Sequence, residues 1–142
     1  MALTQAQKRL LESARSAANE LDSDGGRELV PLIGELTACE KLDLTWEPSK
    51  GYDAKADQER VQIKTRKSWS TPEVNPRGRL GRFGRKEDYF FDVAVYVELD
   101  DDFNLANLWR MGRDEVRALE GRESANRALH VSTFRNKAEK LE

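Results

Sequence analysis

Asp53, Gln62 and Lys64 are spaced as the two arms of a β-hairpin would space them. Residues 60–66 read Arg-Val-Gln-Ile-Lys-Thr-Arg, which puts Val61, Ile63 and Thr65 on one face and Gln62, Lys64 and Arg66 on the other. Upstream, Tyr52-Asp53-Ala54 predicts a short antiparallel strand, and a turn centred on Asp57 and Gln58 sets Asp53 directly opposite Gln62. Opposed residues carry side chains about 4.5–5.5 Å apart on one face. A carboxylate, an amide oxygen and an ammonium therefore converge, with Lys64 two residues further along; a one-residue slip of register would scatter them. Glu35 is a second anomaly, because it lies between Leu32 and Cys39 on an otherwise apolar helix flank. A carboxylate aimed at a core takes a partner, usually a cation. Asp53, Glu35 and Gln62 together offer hard oxygen ligands suited to Mg²⁺ or Mn²⁺ rather than to zinc or copper. An ordinary arrangement also fits, with Asp53 and Lys64 a surface cross-strand pair and Glu35 reaching solvent.

The elements that must position these residues follow from periodicity. Residues 4–21 predict an amphipathic helix with Leu10, Ala14, Ala17 and Leu21 on its apolar stripe. A second helix is expected from Arg27 to Leu42, with Leu29, Ile33 and Leu36 on one stripe and Pro31 in the first turn or at a kink. Residues 68–87 read as a long polar loop broken by Pro72, Pro76, Gly78, Gly81 and Gly84. Tyr89 to Leu99 is the most apolar stretch and predicts a central strand. Asp100-Asp101-Asp102 turns the chain into a strand from Leu105 to Met111, then a helix from Arg113 to Glu120 stopped by Gly121. Ser132 is placed to cap a final helix reaching Leu141. The expected whole is one α/β domain over residues 1–142, a mixed sheet flanked by helices: an N-terminal helix at 1–22, a motif-bearing core at 27–99, and a C-terminal strand and helices at 100–142.

Composition narrows the classes of function. The chain has 142 residues, of which 35% are charged, and no stretch without a charged side chain exceeds seven residues. A membrane span needs about 20 apolar residues, and the first twenty residues lack the apolar segment of a secretory signal, so a cytoplasmic protein without a membrane partner is expected. Single residues of cysteine (Cys39) and histidine (His130) exclude an internal disulfide and make a zinc cluster or a histidine-based triad a poor first choice. Cys39, Trp46 and Trp109 read as core residues, His130 as a packed or capping residue, and Asp92 as a carboxylate paired with an arginine or a helix N-terminus.

The net charge of −2 conceals a polarity. From Arg60 to Lys86 nine basic side chains face one acid, Glu73, giving +8 and leaving −10 for the rest of the chain. Such density with aromatic residues interleaved suits a phosphate backbone. Arg66, Lys67, Arg77, Arg79, Arg82, Arg85 and Lys86 are the candidate nucleic-acid contacts, with Trp69 available to stack on a base or sugar. A solvated loop neutralising the protein's own acidic helices is the alternative.

With these residues in view, the sequence resembles the PD-(D/E)XK nuclease superfamily, which has the restriction-endonuclease-like fold. Gly34-Glu35 on a helix, Gly51-Tyr52-Asp53-Ala54, and Val61-Gln62-Ile63-Lys64-Thr65-Arg66 carry the resemblance, and the Gln-x-Lys form is most similar to the Mrr-type branch. The resemblance spans roughly residues 27–99. It implies a Mg²⁺-dependent (Mn²⁺-compatible) endonuclease acting on DNA, with Glu35, Asp53, Gln62 and Lys64 as the catalytic set. Asp53 would be the principal metal ligand, Glu35 would bind the metal directly or through water, Gln62 would contribute its side-chain oxygen, and Lys64 would orient the attacking water or offset charge on the phosphate. Gln62 replaces an acid of the family pattern, which leaves open a catalytically inactive module that binds nucleic acid or a protein. A domain of this size acting on two strands is also expected to form a homodimer.

Overall fold

The computed structural model describes residues 3–21, 26–49, 51–69, 73–84, 88–123 and 127–142. Helix α1, Gln5–Glu20, starts at a capping box in which Thr4 accepts from the Gln7 N–H and the Gln7 side chain accepts from the Thr4 N–H. Its buried residues are Leu11, Ala14 and Ala18, whereas Leu10 is 38% exposed and Leu21 50%. The buried stripe thus keeps Ala14, takes Leu11 and Ala18 in place of Leu10 and Ala17, and leaves Leu21 out. Leu10 and Leu11 lie about 100° apart around a helix, and both spacings fit a helical period, so periodicity alone does not choose between them. Helix α2, Val30–Leu42, has Pro31 in its first turn as expected and buries Ile33, Leu36 and Cys39.

The sheet has six strands in chain order: β1 Thr45–Ser49, β2 Tyr52–Ala56, β3 Glu59–Lys67, β4 Val93–Leu99, β5 Leu105–Gly112 and β6 Glu139–Lys140. Neighbours are antiparallel except β3 and β4, which run parallel. The architecture is therefore α/β with a mixed sheet. Strand β1 has no counterpart among the sequence expectations; it contains Pro48, which a strand tolerates at an edge, where no ladder hydrogen bond is lost. Helix α3 spans Arg113–Glu120 and is followed by Gly121, as expected. Helix α4 spans Val131–Lys137, with His130 rather than Ser132 at its cap position. It stops well short of Leu141 because Lys140 pairs with Trp109 and draws the chain into β6.

Period two sorts the two faces of the sheet cleanly. Val61, Ile63 and Thr65 of β3 pair with Val93, Val95 and Val97 of β4, and this face packs under α2 and α1. Gln62 and Lys64 pair with Ala94 and Tyr96, whose face carries a second core with Trp109, Met111 and Phe134. A parallel pair needs a crossover connection, and residues 68–92 supply it. Val74, Leu80 and Phe83 are buried in the second core, so the described part of this stretch around them is a cover for one sheet face rather than a solvated polar loop. Tyr89 and Phe91 belong to the same cover, which shortens the expected strand from Tyr89 to Val93 at its start. Among the described residues, no helix is long and apolar enough to cross a membrane.

Helix α2 packs closely on β3 at Gly34, where an added Cβ would fall 1.8 Å from Thr65 Oγ1. Gly34→Ala is expected to lower stability by about 1–3 kcal/mol, the usual cost of overpacking, and to displace Glu35 at the next position. Chemical denaturation reads the first effect, and an unchanged midpoint would contradict the contact.

Candidate functional site

The hairpin has the register that its spacing predicts: Ala54 pairs with Val61, Lys55 with Arg60, and Ala56 with Glu59. The two-residue turn places Asp57 in the left-handed region at φ 52°, which aspartate tolerates better than most residues. Asp53 is the next position along, and its Oδ2 accepts the Ile63 N–H at 2.8 Å. Asp53, Gln62 and Lys64 line one cleft of about 310 Å³. Ser49 at the end of β1 and Gly51 of the turn after it form one wall, and Arg82, Phe83, Asp88 and Phe90 of the crossover form the other.

Glu35 is not among the residues that line this cleft; it lies near enough to feel the charges of Asp53 and Lys64, and it is held by Trp46, whose indole N–H donates to Glu35 Oε1 at 3.0 Å. Burial pushes the Glu35 carboxyl up to about 7; the Trp46 hydrogen bond opposes that rise, the charge of Asp53 adds to it, and Lys64 opposes it. Asp53 is also raised by burial, against the Ile63 hydrogen bond and Lys64. The Cys39 thiol, fully buried, is pushed up to about 12 by burial and by the charges of Glu35 and Asp53. Two half-buried carboxylates that both resist ionisation form a place where added positive charge is favourable.

One oxygen of each acid is committed, to Trp46 and to Ile63. The other oxygen of each, and the Gln62 amide oxygen, are hard donors of the type that suits Mg²⁺ or Mn²⁺. The three aspartates whose carboxylate oxygens come within 4.8 Å of one another are elsewhere, at Asp100, Asp101 and Asp102. There Asp100 Oδ1 accepts the backbone N–H groups of Asp102 and Asn104, which is the work of a turn.

Glu35 has a consequence for stability. A carboxyl raised in the folded state binds its proton more tightly there than in the unfolded chain, so its favourable contribution is complete below the ordinary carboxylate range and is lost as pH rises through about 7. In EDTA, wild type is expected to lose melting temperature between pH 5 and 8 relative to Glu35→Gln, on the order of one protonation step. Parallel curves for the two proteins would refute this.

The basic residues divide sharply. Arg82 joins Lys64 at the cleft, with its Nε donating to the Gly84 carbonyl at 3.1 Å. Arg66 donates to the Arg79 carbonyl at 2.7 Å, and Arg79 in turn pairs with Glu123 at 2.9 Å and bonds the Ala128 carbonyl. Lys67 is only 7% exposed, donates to the Ser68 carbonyl, and has its ammonium over the Trp69 and Phe103 rings at 3.9 and 4.6 Å. Trp69 packs edge-on against Phe103. The structure therefore spends Lys67 and Trp69 on packing and keeps them out of the cleft; Arg77 is exposed and also outside it. Arg85 and Lys86 lie outside the described residues.

Asp92 fills the role expected of it, accepting from the Arg60 backbone and guanidinium, with Arg113 at 3.8 Å, and the Arg60 hydrogen bonds hold its carboxyl below the usual range. His130 Nδ1 sits 2.9 Å from the Arg77 carbonyl. Sequence reasoning missed Trp46 as the partner of Glu35, Asp88 and Phe90 as cleft residues, and Glu120. The Glu120 carboxylate, 1% exposed, accepts from the Phe83 and Gly84 N–H groups and the Tyr89 hydroxyl, so it pins the crossover wall in place. The sequence signal for Glu120 was faint: an acid at the end of a helix whose other apolar positions, Val116 and Leu119, are buried.

Fold and cleft together define an α/β protein with an acid, amide and lysine cluster at the base of a β-hairpin. No protein-family model matches the chain, and no curated protein matches it.

Proposed function

We propose that this protein is a metal-dependent nuclease of the PD-(D/E)XK type, with a restriction-endonuclease-like fold, hydrolysing phosphodiester bonds in DNA. The observation that carries the reading is the convergence of Asp53, Gln62 and Lys64 on one cleft, with Glu35 electrostatically coupled to Asp53 and Lys64. A divalent cation held by Asp53, Glu35 and Gln62 would supply charge that polarises the phosphodiester and acidifies water. Asp53 and Glu35 are kept in place for that task by Ile63 and Trp46. Lys64 brings a positive charge to the phosphate as negative charge develops on it. The sheet places the ammonium 5.8 Å from the centre of the Phe83 ring, against the crossover wall.

The test is cleavage of plasmid DNA and of single strands with Mg²⁺ or Mn²⁺. Cleavage is expected to stop in EDTA and to fall about 10²–10³-fold in Lys64→Ala, the range seen when one charge-stabilising donor is removed. No metal-dependent cleavage of duplex DNA, single strands or RNA by the wild-type protein would overturn the reading. Gln62 in place of an acid supports the rival reading, a nuclease-fold module that binds without cutting; salt-sensitive binding indifferent to metal and to Asp53 would mark it.

A further inference from the structure

We infer that the cleft takes its nucleic acid as a single strand, with one unpaired base stacked on Phe90. The inference rests on the nuclease reading of the same cleft and adds the class of substrate to it. Phe90 is 42% exposed, and of the large apolar side chains exposed among the described residues it is the one aromatic; the others, Leu10 and Leu21, lie at α1. Phe90 lines the cleft beside Asp53, Gln62 and Lys64, which sets an aromatic ring where a base attached to a bound phosphate could stack on it.

Its position is built. The flanking Tyr89 and Phe91 are buried in the second core, so alternation turns Phe90 outward. On its other side lies Gly51, at φ +93°, where an added Cβ would meet Phe90 Cβ at 2.5 Å. Only glycine combines that backbone angle with so close an approach. The β1–β2 turn at Gly51 therefore packs against the Cβ and one edge of the Phe90 ring and fixes its position, and the exposed remainder of the ring faces the cleft.

Size and charge argue against a duplex. The cleft of about 310 Å³ is at the small end of ligand pockets, about 300–1,000 Å³, which suits one nucleotide unit and not two paired strands. Its rim carries Lys64 and Arg82 against Asp53 and Asp88, a balanced set. Duplex binders that rely on charge neutralise about 6–10 phosphates, whereas among the described residues the cleft itself offers Lys64 and Arg82, and Arg66, Arg79 and Lys67 are committed to protein partners. With two cations at the cleft set against two acids, stacking supplies the affinity there, and it is indifferent to base identity.

Fluorescence anisotropy in EDTA with a labelled 12-nucleotide DNA strand, the same sequence in RNA, and a DNA duplex tests this without requiring cleavage. A single strand of either sugar is expected to bind at least about tenfold more tightly than the duplex. Phe90→Ala is expected to weaken single-strand binding about 5- to 150-fold, the range for one stacked base, with an unchanged melting temperature, and Phe90→Trp to preserve it. One abasic position along the strand should mimic Phe90→Ala. Equal binding of duplex and single strand, or single-strand binding indifferent to Phe90→Ala, would overturn the inference. Duplex cleavage that ignores Phe90 would leave the nuclease reading standing and remove this one; Phe90-dependent single-strand binding without any cleavage would do the reverse.

Discussion

Asp53→Asn is expected to lower metal-dependent cleavage by about 10³-fold or more while leaving the metal-free protein at least as stable as wild type at pH 7. The first half follows from charge. Electrostatic stabilisation by a bound cation is worth several kcal/mol, tenfold in rate for each 1.36 kcal/mol, and Asp53 is the acid in the cleft wall next to Gln62 and Lys64. The second half follows from the direction in which Asp53 titrates. Burial raises its carboxyl more than the Ile63 hydrogen bond and Lys64 lower it, so ionised Asp53 weighs against folding at neutral pH. Asparagine keeps a carbonyl oxygen for the Ile63 N–H and removes the charge. A surface cross-strand ion pair predicts the opposite pattern, lost stability and untouched activity. Thermal melts in EDTA beside plasmid cleavage in Mg²⁺ separate the two, and a melting temperature that falls with activity retained would defeat the functional reading of Asp53.

The same contrast shows which features were readable in the sequence. The hairpin register was readable only on the condition of a turn at Asp57 and Gln58, which sequence alone does not fix; the structure has that turn, and alternation from Val61 to Thr65 then buries the apolar set. Glu35 was readable, because an acid on an apolar flank is unusual whatever holds it, although its partner Trp46 sits on an edge strand with no periodic signal. The basic segment was legible as charge and misleading as surface. Sequence counts guanidinium groups without their partners, and here the turn at Gly78 and the second core direct Arg66 and Arg79 toward backbone carbonyls. Lys67 ends β3 with its ammonium over two aromatic rings, a long-range contact with Phe103 that no local pattern encodes. The crossover was hidden for a related reason. Its apolar residues, Val74, Leu80 and Phe83, are separated by glycine, proline and arginine, and they become a core only because the parallel pairing of β3 and β4 carries the chain across the sheet.

Glu120→Ala is expected to destabilise the fold by about 3–5 kcal/mol, on the order of 10 °C in melting temperature for a chain of this size. Three donors end on this one carboxylate: the Phe83 N–H at 2.7 Å, the Gly84 N–H at 3.1 Å and the Tyr89 hydroxyl at 2.8 Å. Each is left unsatisfied in a buried site when the acid is removed, at about 1–3 kcal/mol apiece before any water enters. Tyr89→Phe, which deletes one donor and keeps the ring, should cost only about 1 kcal/mol. Glu120→Gln should fall between, since its amide nitrogen cannot accept from either N–H. The effect reaches the cleft through Phe83, which stacks on Phe134 at 5.5 Å and faces the Lys64 ammonium. Loosening Phe83 and Gly84 therefore frees the wall against which Lys64 is set, and cleavage should decline even at temperatures where Glu120→Gln is folded. Amide hydrogen exchange at Phe83 and Gly84 reports the loosening directly. Protection equal to wild type at those two amides in Glu120→Gln would show that the wall is held by its aromatic packing alone and that Glu120 contributes nothing to the geometry of the site.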